Sequence, residues 1–390
     1  MTSNHVHESR LENFGKRLAS GIVLSVGVLF VFYKSPSIAT SGITSLLVSM
    51  CLYEYSWLSV RIKASVLKGI PSNDIAVDYE KYVLKMIFPN WSRRPFIFAS
   101  ALSVMLSTAA CALAIAAYQF IDEDILPHIF STLLLPYIVI ATFGTTLAVA
   151  FAPSFIAATM IIFSQVSFSF IVNNSLLCPV NETRCIFIID SSFMIISGFF
   201  AMVILHLMTS KTIEAAAVSI LLDILAFLYV VGFLQVLVNF VVFSTKSDSR
   251  KLFVVLLLSV WAADSGSYFT GNLLRICKYS RAHHLAPTIS PNKDVEGTIG
   301  GVLFAIAMMF GAVYWTNFSR PVFDLLAMTI VGIIFGRLGD LFESMIKRAA
   351  GVKDSSSLIP GHGGIMDRID ALLFASVVYC VFNLNDRLFH

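Results

Sequence analysis

The feature that most constrains this chain is a series of apolar runs, each about 17 to 25 residues long, recurring from Leu18 almost to the C-terminus. A run of that length crosses a hydrocarbon core of roughly 30 Å as a helix, and only helices and closed barrels satisfy their backbone groups there. Of 390 residues 57% are hydrophobic and 13% charged, whereas soluble domains carry roughly a quarter of their residues charged. The expected fold class is all-α, a polytopic transmembrane helical bundle of about nine to eleven spans with no separate soluble domain. Expected spans are 18–34, 36–59, 96–119, 129–149, 155–172, 186–207, 214–243, 251–271, 297–316, 321–336 and 367–387.

Lys and Arg in short loops favour the cytosolic side. The mixed-charge tail before the first run lacks a small-residue cleavage site, so that run reads as a retained helix with the N-terminus inside. Seven basic residues, from Arg61 to Arg94, follow the second span, while Asp122, Glu123 and Asp124 follow the third, as alternation requires. Segments 272–296 and 337–366 then also lie inside. Lys246, Arg250 and Lys251 fall outside, so either the 214–243 stretch contains a break or the bias is violated there. A net charge of +3 gives no argument for nucleic acid, and the basic residues sit where anionic lipid headgroups are met. Segment 78–88 mixes charged and apolar residues and suits either an interfacial helix or an ordinary connector. Cys178 and Cys185 flank a polar loop placed outside, where a disulfide is compatible with the compartment, and Asn181 opens a glycosylation sequon.

The first 250 residues read as lipid-facing helices, whereas residues 251–390 gather charges and glycines into otherwise apolar helices, where an unpaired charge is expensive. The first cluster runs from Asp264 to Gly271; Asp264 suits either a nucleotide or metal-bound water contact or a satisfied helix end. The second runs from Ser290 to Gly297, with Pro291 setting a turn before a helix N-terminus suited to phosphate. There Lys293 supplies a point charge for phosphate and Glu296 pairs with a basic neighbour; a capped loop with solvated charges is the alternative. In the third, Asp340, Ser344 and Lys347 share one helical face; the alternative is a solvated helix end with internal ion pairs such as Glu343 with Lys347. The fourth holds Lys353-Asp354, Pro360-Gly361-His362-Gly363-Gly364, and Asp367-Arg368-Ile369-Asp370 opening the last span. Asp367 and Asp370, three apart on a helix starting near Met366, suit magnesium, which takes oxygen ligands; a helix start also favours Asp on dipole grounds.

These residues resemble the CDP-diacylglycerol synthase, or phosphatidate cytidylyltransferase, family. The resemblance rests on Ser290 to Gly297, Gly339 to Ser344, Lys347-Arg348, Lys353-Asp354, Pro360 to Gly364 and Asp367 to Asp370, in the family's order. Asn292, Asp294 and Val295 depart from its common residues. The N-terminal half is similar only in being a set of apolar helices. The resemblance implies a metal-dependent nucleotidyltransferase that joins CTP to phosphatidic acid and releases pyrophosphate. It implies a Mg²⁺ centre at Asp340 and Asp367 and catalytic roles for Lys347, Arg348 and Asp370. Asp264, Ser290, Lys293, Glu296, Ser344, Lys353, His362, Gly363, Gly364 and Arg368 would contact substrate. The phosphate nucleophile is already ionised, so His362 reads as a phosphate contact or loop support, not a proton acceptor. The site would face the cytosol, in a bacterial inner membrane or an organelle membrane, and a homodimer is compatible with the family. Two other readings are a CTP-dependent lipid kinase, which would release CDP, and a transporter with Asp190, Asp223 and Asp324 on an ion path.

Overall fold

The structure, a computed structural model, describes residues 27, 36–68, 81–89, 94–118, 134–177, 191–242, 247–277, 279, 283–359 and 363–389. The first expected span (apart from Gly27), Cys178 and Cys185, the sequon, Asp190 and His362 lie outside these residues. In chain order the helices are α1 (Pro36–Val66), α2 (Val83–Ile87), α3 (Pro95–Tyr118), α4 (Leu135–Ala150), α5 (Phe155–Leu177) and α6 (Ser191–Thr209). They continue with α7 (Ile213–Ala226), a π-helical turn (Phe227–Gly232), α8 (Phe233–Val242), α9 (Ser247–Ile276), α10 (Val295–Thr316), α11 (Val322–Ala349) and α12 (Met366–Phe389). Among the described residues seven helical stretches are long and apolar enough to cross a membrane, α7 with the π turn and α8 counting as one, and α4 and the later part of α6 are shorter apolar helices. The protein is a multi-pass membrane protein built as a helical bundle.

Three boundaries differ from expectation. The 214–243 stretch holds a π turn rather than a gap, because the chain stays helical through Phe227–Gly232. Helix α11 does not stop near residue 336 but runs unbroken to Ala349, carrying Asp340, Ser344 and Lys347 on its last turns. The segment before α10 is a small antiparallel hairpin, β1 (His284–Ala286) and β2 (Ser290–Asp294), so Pro291 lies in a strand. Asp294 then caps α10, its side chain accepting from Gly297 N at 2.8 Å. This gives Asp294 a local structural role at the start of α10.

The core joins both halves of the chain. Phe233 of α8 stacks on Phe374 of α12 with ring centroids 4.5 Å apart, and Tyr229 meets Phe342 edge-on. Helix α1 is held laterally by polar contacts suited to an apolar setting: Ser49 donates to Gln165 Oε1, and Gln165 donates back to Ser45 at 2.6 Å. Short α2 buries Val83 and Leu84 while Met86, Ile87 and Phe88 stay exposed, which fits an interfacial segment.

Candidate active site

Helices α9, α10 and α11 and strand β2 converge around a cavity of about 370 Å³, lined among others by Asp264, Ser267, Arg275, Lys293, Gly297 and Arg337. On the α11 side Asp340 is the organising acid. Its Oδ1 lies 2.5 Å from Lys293 Nζ, and its Oδ2 is 3.2 Å from Arg337 Nη1. Lys293 reaches it from β2 and also donates to Ser344 Oγ at 3.1 Å, so Asp340 and Ser344, one turn apart, hold one ammonium between them. Arg337 additionally donates to Ser267 of α9. Asp264 is exposed beside Arg337, and buried Asp370 lies within hydrogen-bonding reach of Asp340.

A second set sits where the glycine loop enters α12. Lys347 Nζ is 2.5 Å from Asp367 Oδ1 and also pairs with fully buried Glu343. Asp367 Oδ2 accepts from Ser355 N, Ser355 Oγ and Gly364 N at 3.1, 3.0 and 2.8 Å. The two aspartates expected to act on one side thus divide: Asp367 ties down the loop, while Asp370 turns toward Asp340.

Behind the loop stands Glu54, a fully buried residue of α1. Its Oε1 accepts from Ser356 Oγ at 2.5 Å and Ile365 N at 2.8 Å; its Oε2 accepts from Ser355 Oγ at 3.1 Å and Met366 N at 2.8 Å. A carboxylate at the first turn of a helix meets free N–H groups and the positive dipole end, so Glu54 caps α12 from another part of the chain. Gly363 adopts φ +81°, which an L side chain rarely accepts. A Cβ at Gly364 would lie 1.9 Å from Ser355 Oγ and 2.6 Å from Glu54 Oε1. Gly364→Ala is therefore expected to destabilise the protein by about 2 kcal/mol through overpacking, read as a lower melting temperature in detergent. A melting curve unchanged from wild type would contradict this packing.

The remaining expected residues take other places. Glu296 turns to the hairpin, accepting from His283 N at 3.1 Å and meeting His283 Nδ1 at 2.7 Å. Arg348 is exposed and donates to Ile289 O and Val352 O. Lys353 and Arg368 are exposed, and Ser290 is half-buried on β2. Glu54, Arg337 and Ser355 were missed. Glu54 did carry a signal, a lone acid in the middle of an apolar span. Arg337 was noted only as a topology charge.

Among the described residues no group of three His, Cys, Asp or Glu side chains surrounds a common point. Asp340 with Asp370 nonetheless offers hard oxygens beside the cavity, and this fits magnesium, which binds through one or two carboxylates plus waters and phosphates. Asp340 and Asp367, the expected pair, each hold proton donors on both oxygens, Lys293 and Arg337 on the first and Lys347, Ser355 and Gly364 on the second, so a metal there would take the place of some of these donors.

Fold and site together define a helical membrane protein with a polar cavity ringed by paired acids and bases. The profile of the cytidylyltransferase family matches residues 125–384, and the chain belongs to that family. It is 42% identical over 132 residues to a phosphatidate cytidylyltransferase of Staphylococcus haemolyticus (strain JCSC1435), covering 34% of this chain and 48% of that protein. The corresponding protein of Staphylococcus aureus (strain COL) is 40% identical over 132 residues, with the same shares of 34% and 48%. That of Staphylococcus epidermidis (strain ATCC 35984 / DSM 28319 / BCRC 17069 / CCUG 31568 / BM 3577 / RP62A) is 41% identical over 132 residues, again 34% and 48%. The chain spans about half the length of the curated relatives it matches.

Proposed function

We propose that this protein is a phosphatidate cytidylyltransferase of the membrane, joining CTP to phosphatidic acid. The single observation that carries the reading is the cavity lined by Lys293 and Arg337, both of which pair with Asp340 at its edge, within a chain of the cytidylyltransferase family. In the reaction an oxygen of the phosphatidate phosphate forms a bond to the α-phosphorus of CTP. The bond from that phosphorus to the bridging oxygen breaks, giving CDP-diacylglycerol and pyrophosphate. Several negative charges meet at one place, so the barrier is lowered by neutralisation and alignment rather than by a general base.

The residues divide this work. Lys293 and Arg337 face the cavity and bind phosphate oxygens, and Asp340 and Ser344 keep the Lys293 ammonium oriented when substrate is absent. Magnesium, held by Asp340 with Asp370 beside it, would neutralise the phosphates and orient them. Asp367, the second expected ligand, would join such a centre by releasing Lys347, which Glu343 would still hold near the phosphates. Lys353, Arg348 and Arg368, exposed at the loop and helix edges, supply cations for the triphosphate or the lipid headgroup. The cytosolic face of a bacterial plasma membrane is the site we assign, because CTP is cytosolic and the basic loops cluster on that side. Nucleic acid has no part in this reading; a homodimer is compatible with it.

The deciding experiment uses purified, detergent-solubilised protein with phosphatidic acid, magnesium and CTP labelled on both the cytidine and the γ-phosphate. Cytidine label is expected in the lipid, with pyrophosphate released. Transfer of the γ-label to lipid with release of CDP would make the protein a lipid kinase and overturn the assignment.

A further inference from the structure

A second polar cavity, of about 270 Å³, lies among the helices of the first 250 residues and shares no lining residue with the one described above. Its walls come from three places far apart in sequence: the end of α1, the α4–α5 junction and the α6–α7 junction. Lys63 and Lys211 bring two cations to it, and the hydroxyls of Ser154 and Ser210 join them. Ser154 accepts from Ala157 N at 3.2 Å as the cap of α5, which leaves its own proton to donate. The N-termini of α5 and α7 both open beside the cavity and add positive dipole ends. The one acid in the wall, Asp223, is bound to His206 at 2.5 Å, and Lys63 donates to Ser219 Oγ at 2.6 Å rather than pairing with it. The cavity thus gathers two cations and two hydroxyls against one carboxylate that is already engaged by a histidine.

We infer that this cavity is a binding site for the phosphate-bearing headgroup of an anionic membrane lipid. The lipid source follows from the rim. Met208, Ile213 and Leu221, neighbours in sequence of the cavity residues Thr209, Ala215 and Leu222, are 82%, 83% and 66% exposed. In a multi-pass protein such faces meet acyl chains, so a headgroup seated between Lys63 and Lys211 has its tails along α6 and α7. None of these residues belongs to the reaction centre, so the inference stands whether or not the proposed reaction is correct.

The test titrates phosphatidylglycerol into the full chain in neutral detergent and counts bound lipid by native mass spectrometry. Lys63→Ala/Lys211→Ala is expected to weaken the tightest adduct about thirtyfold, from roughly one order-of-magnitude step or less per surface cation. Lys63→Arg/Lys211→Arg should retain it, and so should Asp340→Asn, whose change is confined to the other cavity. Lys211→Glu alone, at an exposed position, repeats the test should the double variant fail to fold, and is likewise expected to lose the adduct. A parallel arm follows thermal stabilisation by inorganic phosphate alone. Equal adducts in wild type and the cation-deleted variants would overturn the proposal. So would stabilisation by inorganic phosphate that depends on Lys63 and Lys211 while the lipid adducts do not, since the site would then take soluble phosphate.

Discussion

Asp340→Asn is expected to lower cytidylyl transfer at least a hundredfold while leaving the protein folded in detergent. The side chain keeps its size, but the half-buried Lys293 and Arg337 lose their shared counter-charge. Asn also presents an amide N–H₂ where a cation was received, so one of the two must turn away. If Asp340 also receives the metal, the same change removes an anionic oxygen ligand. Losing one preorganised charge at a phosphoryl or acyl centre typically costs a factor of 10² to 10³ in kcat. The loss should fall on kcat more than on KM, because Lys293 and Arg337 still bind phosphate but no longer in fixed positions. Normal turnover in a monodisperse Asp340→Asn preparation would remove Asp340 from the mechanism.

The second large effect is expected at Glu54→Ala, in a helix outside the span of 125–384 that matches the family. Truncation leaves the Ser356 hydroxyl and the N–H groups of Ile365 and Met366 without this acceptor, while the Ser355 hydroxyl keeps Asp367 Oδ2. Each unsatisfied buried donor costs about 1–3 kcal/mol, reduced where water enters the space, so a total on the order of 3 kcal/mol is expected. The loop that carries Asp367 loses its support with it, and activity should fall together with melting temperature. Glu54→Gln separates fold from charge, since the amide keeps one acceptor oxygen but sets an N–H₂ against two of the four donors. Turnover should drop in Glu54→Gln even where the melting temperature is largely restored. A Glu54→Ala protein that melts and turns over like the wild type would show that the loop holds itself.

The residues clustered between 264 and 370 were readable because their chemistry is contiguous: glycines beside acids beside bases inside apolar helices stand out at short range. The helical face of Asp340, Ser344 and Lys347 was also readable, since α11 proved continuous. Its partners were not. Asp340 and Ser344 share Lys293, whereas Lys347 turns to Glu343 and Asp367, a division that periodicity does not encode. Glu296 pairs with a basic neighbour as its position suggested, yet that neighbour is His283, and the pair belongs to a hairpin rather than to the cavity. Asp223, noted as a mark of an ion path, is instead matched to His206 across the α6–α7 pair.

The amino-acid sequence by itself determined that this protein is a helical membrane bundle, where most of its spans lie, and the family to which it belongs. Those properties are local: twenty consecutive apolar residues or an ordered string of motifs carry their meaning without reference to the rest of the chain. Only the tertiary structure decided which acid meets which base. Glu54 reaches Met366 from 312 positions away, and Lys293 reaches Ser344 from 51. Such pairings depend on how helices pack side by side, and in an apolar medium each buried charge must find its partner there or not be tolerated.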